Sequence, residues 1–151
     1  MPSEFRLTRT VEFCETDMAG IMHFSNFFRW MEACEAGFYR SLNLPLISFV
    51  PGSVVGWPRV SASCTYKAPL RFNDTAEVRL LIKEVRTRAV IFVFQFRLLD
   101  AAGGVLPAVL AEGEIAAVCV TAGAGGKMVA QPIPAEVRAR LEVAPASAYA
   151  G

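Results

Sequence analysis

The chain has 151 residues, a formal net charge of +1, 54% hydrophobic residues and 19% charged ones, enough apolar material for one compact domain with a sizeable core. Its densest basic cluster is Arg86-Thr87-Arg88, too little for the electrostatic footprint of a nucleic-acid binder. No apolar run approaches the roughly 18 residues that span a bilayer, and the start, Met1-Pro2-Ser3-Glu4-Phe5-Arg6, lacks a basic segment followed by an apolar one, so no membrane association is expected and the expected location is the cytoplasm.

In chain order, Phe5, Leu7, Val11 and Phe13 alternate with Arg6, Thr8, Thr10 and Glu12, the period of a strand with one buried face, broken by Arg9. After a turn containing Asp17, the spacing predicts a helix over residues 26–42. At about 100° per residue, Phe27, Met31, Cys34, Phe38 and Leu42 share one arc, widened by Trp30 and Gly37, with Arg29, Ala36 and Arg40 opposite. So wide an apolar stripe implies a helix wrapped by a sheet.

Leu44-Pro45 ends the helix, and Pro51-Gly52 and Gly56-Trp57-Pro58 mark a loop. Strands are predicted over residues 59–67, 76–85, 89–99 and 106–121, the last bent or interrupted near Pro107 or Gly113. Asn73-Asp74 and Ala101-Ala102-Gly103-Gly104 supply turns, residues 122–126 a Gly/Ala loop, and residues 134–141 a short helix with Pro134 in its first turn. This order predicts a single α+β domain over residues 1–142, an antiparallel sheet curled around one long helix, followed by a disordered tail over residues 143–151.

Cys14, Cys34, Cys64 and Cys119 are scattered, without a CxxC pair and with one histidine in the chain. They are expected to be small buried hydrophobes, not a metal set or a disulfide framework. No G-x-S-x-G elbow is present, and Gly123 to Lys127 lacks phosphate-loop spacing.

The chemistry concentrates at the start of the predicted helix. A helix N-terminus presents unpaired N–H groups and roughly half a positive charge, which can polarise a carbonyl or hold an oxyanion. Ser25 or Asn26 is positioned to cap it, yet no Glu or Gln follows three residues later, leaving the N–H groups around Phe24 to Phe27 for a ligand. Asp17, just upstream, is suited to act there as nucleophile or general base in acyl transfer or hydrolysis. The alternative is that Asp17 only forms the local turn. His23 offers a second acid/base group or a pocket contact. Glu35, at the edge of the apolar stripe, offers an alternative acid whose burial would raise its pKa.

The stretch from Phe13 to Pro45, with Asp17-x-x-Gly20-Ile21, Asn26 and Arg29-Trp30, resembles the hotdog-fold thioesterases of the 4-hydroxybenzoyl-CoA thioesterase family. The likeness continues through Gly56-x-Pro58-x-Val60-Ser61, Asn73-Asp74, Lys83-Glu84-x-Arg86 and Pro132-x-Pro134. The resemblance implies a hotdog fold in homodimers or homotetramers with active sites at the dimer interface, and hydrolysis of an acyl-CoA without a further cofactor. It implies that Asp17 drives hydrolysis while the Phe24 backbone N–H polarises the carbonyl. It places Gly20, His23, Phe27, Phe28, Trp30 and Trp57 around the substrate, Glu32 near the acyl ring bound by the neighbouring subunit, and Arg86, Arg88 and Lys127 at the coenzyme A phosphates. His23 and Phe24 stand where the 4-hydroxybenzoyl branch has Trp and Tyr, and Trp57 replaces a smaller residue. Two other functions are compatible with the fold: a non-catalytic acyl-thioester binder, and a hotdog dehydratase or hydratase, which needs a different His-acid motif.

Overall fold

The computed structural model describes residues 3–46, 48–50 and 53–150, so the Pro51-Gly52 turn lies outside the described residues. In chain order the elements are β1 (Glu4–Thr10), α1 (Ser25–Ser41), β2 (Ser48–Val50), β3 (Ser53–Gly56), β4 (Arg59–Tyr66), β5 (Thr75–Val85), β6 (Ala89–Leu99), β7 (Val105–Val118), β8 (Val120–Ala122), β9 (Met128–Ala130) and α2 (Ala135–Arg138). Single 3-10 turns occupy Phe13–Glu15, Ala124–Gly126 and Ala146–Ala150.

The main sheet has the order β1-β5-β6-β7-β4 with every neighbouring pair antiparallel, which meets the α+β expectation. A small antiparallel sheet of order β2-β3-β8-β9 branches from it. The periodicity of α1 has its physical reason in the core: Trp30, Met31, Cys34 and Phe38 are fully buried, against Val78, Leu80, Ile82, Phe92, Phe94 and Phe96 from the sheet. Full burial of each large apolar side chain contributes about 1.5–3 kcal/mol.

Two glycines let the helix sit this close. A Cβ on Gly37 would lie 2.7 Å from the Phe5 ring, and one on Gly113 would lie 2.0 Å from Met31 Cε. β7 runs unbroken through Gly113, which pairs with Cys64 on one side and Phe94 on the other. The irregularity near Pro107 takes the form of register shifts between β6 and β7 around Arg97. The interruption of the long strand falls instead at Cys119, whose N–H donates to the Arg88 carbonyl at 2.7 Å and whose carbonyl accepts from Gln131 N–H at 2.9 Å.

The first strand also ends earlier than its alternation predicts. Beyond Thr10, the backbone of Val11 leaves the ladder for the Asn73-Asp74 turn, donating to the Asp74 carbonyl at 2.8 Å and accepting from Asn73 N–H at 3.1 Å. Phe13 is consequently 76% exposed instead of buried, and Cys14 is exposed rather than in the core.

On the outer face of the sheet, Glu77, Arg79, Gln95 and Arg97 are buried polar residues. Arg6 pairs with Glu77 at 3.3 Å and Arg79 with Glu4 at 2.7 Å. The segment after residue 143 runs along this face: Ala144 N–H donates to Ile82, and the carbonyls of Ala148 and Tyr149 accept from Arg79 and Gln95. No helix among the described residues is long and apolar enough to cross a membrane.

Candidate active site

Asp17 sits in a tight turn between the first 3-10 turn and α1. Its N–H donates to the Ile21 carbonyl at 3.0 Å, and Gly20 N–H returns to the Asp17 carbonyl at 3.0 Å. Gly20 has φ +78, a left-handed conformation that a side chain would strain. Asp17 Oδ1 accepts from Ala19 N–H at 2.8 Å, so the residue does build its own turn. No group among the described residues occupies Oδ2. The turn thus takes one carboxylate oxygen and leaves the other without a partner among the described residues.

The turn is held to α1 through Glu15. The Glu15 carbonyl accepts from His23 N–H at 2.8 Å and from the Asn26 side chain at 2.9 Å, and its carboxylate accepts from Trp30 Nε1 at 2.7 Å. Asn26 therefore braces the turn and does not cap the helix. His23 Nδ1 accepts from Ser25 N–H at 3.3 Å and lies 2.7 Å from the Ser25 hydroxyl. Asn26 N–H and Phe27 N–H find the carbonyls of His23 and Phe24. Phe24 N–H is left without an acceptor among the described residues.

Asp17 and Phe24 line one cleft of about 390 Å³, together with Ile21, Met22, Phe27, Tyr66 and Lys67. The structure thus brings three of the expected site residues, Asp17, Phe24 and Phe27, to one place, with Gly20 and His23 at its turn and rim. Trp30 is not among them: it is fully buried and spends its indole N–H on Glu15. Phe28 packs against the core and lines neither cleft.

A second cleft, of about 550 Å³, is lined by Glu32, Trp57, Pro58, Arg59, Val120 and Met128 among others. Glu32 is exposed at its rim, 3.9 Å from Arg59. Behind Arg59 lies Glu35, wholly buried, with Oε1 paired to Arg59 at 2.9 Å and Oε2 lacking a partner among the described residues. Burial pushes the Glu35 carboxyl above its ordinary range, and Arg59 opposes the shift. Tyr39, one turn further along α1, is also buried, its hydroxyl without a hydrogen-bond partner among the described residues. Glu35 lines neither cleft.

Arg86 and Arg88 lie exposed on the β5–β6 hairpin, Arg86 clasped by Glu84 at 2.9 and 3.1 Å, and Lys127 is exposed just before β9. None of the three lines either cleft. Tyr66, Glu15 and Arg59 had no signal in local spacing, because each acts through a partner 15 to 42 residues away.

The sequence pattern of the thioesterase-like superfamily matches residues 11–141 of this chain, which belongs to that family. A putative esterase from Aquifex aeolicus (strain VF5) is 39% identical over 85 residues, covering 56% of this chain and 64% of that protein. 4-Hydroxybenzoyl-CoA thioesterase from Pseudomonas sp. (strain CBS-3) is 27% identical over 93 residues, covering 60% and 66%. The match thus spans just under two thirds of the length of these two relatives. A 1,4-dihydroxy-2-naphthoyl-CoA hydrolase from Synechococcus sp. (strain CC9311) is 30% identical over 129 residues, covering 76% and 83%. Among solved structures, a gentisyl-coenzyme A thioesterase superposes with TM-score 0.74 at 28% identity, covering 91% of this chain and 99% of that one. A mutant 4-hydroxybenzoyl-CoA thioesterase complexed with 4-hydroxybenzoyl-CoA superposes with TM-score 0.78 at 19% identity, covering 93% and 99%. The fold is the hotdog fold.

Proposed function

We propose that this protein is an acyl-CoA thioesterase acting on an aromatic acyl group. The observation that carries the reading is the pairing of Asp17 with Phe24 N–H, the amide without an acceptor at the positive end of α1, along one apolar cleft. The acyl class follows the relatives, whose names specify hydroxybenzoyl, naphthoyl and gentisyl thioesters.

In this reading the thioester carbonyl oxygen accepts from Phe24 N–H, and the helix dipole stabilises the negative charge that develops there. Asp17 Oδ2 faces the carbonyl carbon. As general base it takes a proton from the water that adds to that carbon; the C–S bond then breaks and the thiol leaves with the proton. As nucleophile it displaces the thiolate directly, forming an acyl anhydride that water opens. Single-turnover hydrolysis in ¹⁸O-water tests the nucleophilic route: label in the Asp17 carboxylate identifies an anhydride opened by water at the Asp17 carbonyl, a step the general-base route lacks.

The Glu32–Trp57 cleft supplies the acyl-ring wall to the Asp17 cleft of a second copy. β4 is an edge strand with exposed Val60, suited to extend the sheet into that copy. Arg86, Arg88 and Lys127, exposed outside both clefts of one chain, are cations suited to the coenzyme A phosphates. The test is thiol release from benzoyl-, hydroxybenzoyl-, naphthoyl-, phenylacetyl- and aliphatic acyl-CoAs. Turnover of an aromatic member supports the reading; an inert protein across the panel overturns it.

A further inference from the structure

Tyr66 closes β4 at the rim of the Asp17 cleft and is 42% exposed. Its hydroxyl donates to the Phe24 carbonyl at 3.0 Å. Among the described residues, this is the one side-chain hydrogen bond joining residues 23–26 to the main sheet. The rings of Phe24 and Phe27 meet the Tyr66 ring edge-on, at 6.5 and 5.0 Å between centroids. Phe24 is the N-cap residue of α1, and its side chain caps nothing. The local bond that its carbonyl accepts, from Phe27 N–H, is long at 3.3 Å. The shorter of the two hydrogen bonds to the Phe24 carbonyl therefore comes from a side chain of another element.

We propose that Tyr66 is a positioning residue for thioester hydrolysis, its hydroxyl holding the Phe24 backbone so that the Phe24 N–H meets the substrate carbonyl. This rests on the thioesterase reading above. A half-exposed neutral hydrogen bond adds little to stability. A displacement of about 1 Å at a carbonyl-polarising donor, by contrast, can cost about 100-fold in rate. Partial burial, with Cys64 beside it, pushes the Tyr66 hydroxyl up to about 12, so it remains a donor at physiological pH. The effect of removing it should accordingly be constant from pH 6 to 9.

The substitution that tests this is Tyr66→Phe, which keeps the ring and its contacts with Phe24 and Phe27. With the aromatic acyl-CoA turned over best by the wild type, kcat should fall about 10- to 100-fold, with KM within about threefold and the melting temperature unchanged. A second measurement uses phenacyl-CoA labelled with ¹³C at its ketone, an analogue with no thioester to cleave. Its carbonyl resonance should move downfield on binding the wild type and lose at least half of that shift in Tyr66→Phe, at similar affinity. An unchanged kcat and carbonyl shift in a variant of an active wild type overturns the positioning role alone. A parallel loss of kcat, affinity and thermal stability assigns Tyr66 to structure and also overturns it. A wild type inert toward every acyl-CoA overturns the thioesterase reading, and this proposal with it.

Discussion

The indole N–H of Trp30 donates to the carboxylate of Glu15 at 2.7 Å, fastening the middle of the buried helix to the short turn that precedes Asp17. The other carboxylate oxygen of Glu15 accepts from Glu12 N–H at 2.9 Å, so both oxygens serve the geometry of the turn. Trp30→Phe should leave a buried acceptor unpaired and cost about 1–3 kcal/mol in urea unfolding. Acyl preference among the substrates still turned over should not change, because Trp30 touches neither cleft. A changed preference would return Trp30 to the substrate wall.

Asp17→Asn should abolish at least 99% of turnover, the roughly 100-fold or greater contribution of a base or nucleophile. Stability should stay within about 0.5 kcal/mol of the wild type, because the asparagine carbonyl can still accept from Ala19 N–H. Thiol-release kinetics beside thermal melting check both halves. Activity that survives points to another acid.

The Glu35–Arg59 pair sets up a pH-dependent stability. Arg59→Met should cost about 3–5 kcal/mol at neutral pH, because it strands a carboxylate inside the protein. The folded-state Glu35 carboxyl titrates above its ordinary value, so the folded chain holds this proton more tightly than the unfolded one. Its contribution is therefore full below the ordinary carboxylate range and is lost as pH rises through the folded-state value. In Arg59→Met, which lacks the cation that opposes the shift, this decline should be larger and extend to higher pH. Denaturant titrations from pH 4 to 8 should show it, and a curve parallel to the wild type would contradict it. Replacing both partners with apolar residues should cost less than Arg59→Met alone.

Gly37→Ala places a methyl group 2.7 Å from the rigid Phe5 ring. Alanine gains about 1 kcal/mol of helix propensity over glycine, but overpacking costs about 1–3 kcal/mol, so the net change should be neutral to destabilising. Urea midpoints measure it, and a clear stabilisation would mean that β1 yields to the helix.

If a complete site takes Asp17 from one copy and Trp57 from another, two crippled variants should rescue one another. Asp17→Asn and Trp57→Leu, each inactive or weak alone, should regain about a quarter of wild-type activity on mixing and subunit exchange, since half the dimers are mixed and each has one intact site. No gain after verified exchange would place both residues in a site of one chain.

The central helix was the most legible element, predicted over residues 26–42 and observed as Ser25–Ser41, because burial on one face imposes a period that local sequence records. The long strands β5 and β6, buried on both faces, were readable from their runs of β-branched and aromatic residues. The end of β1 was not, because Val11 is recruited by a turn more than 60 residues away. Nor was the break at Cys119, set by backbone partners at Arg88 and Gln131. At the candidate site, Asp17, Gly20 and Phe24 stand out in the sequence as a motif, and Asp17 and Phe24 line one cleft. Trp30 was assigned to the substrate from the motif, whereas its N–H is committed to Glu15; Tyr66 left no mark, since its partner Phe24 lies 42 residues earlier.

The Asx turn at Asp17 makes the two carboxylate oxygens unequal. Oδ1 is tethered to Ala19 N–H, so the side chain cannot spin freely and its electron density is partly drawn toward the backbone on one side only. In the proposed hydrolysis this inequality gives Asp17 a preferred oxygen, Oδ2, and so a preferred side from which the substrate carbonyl approaches.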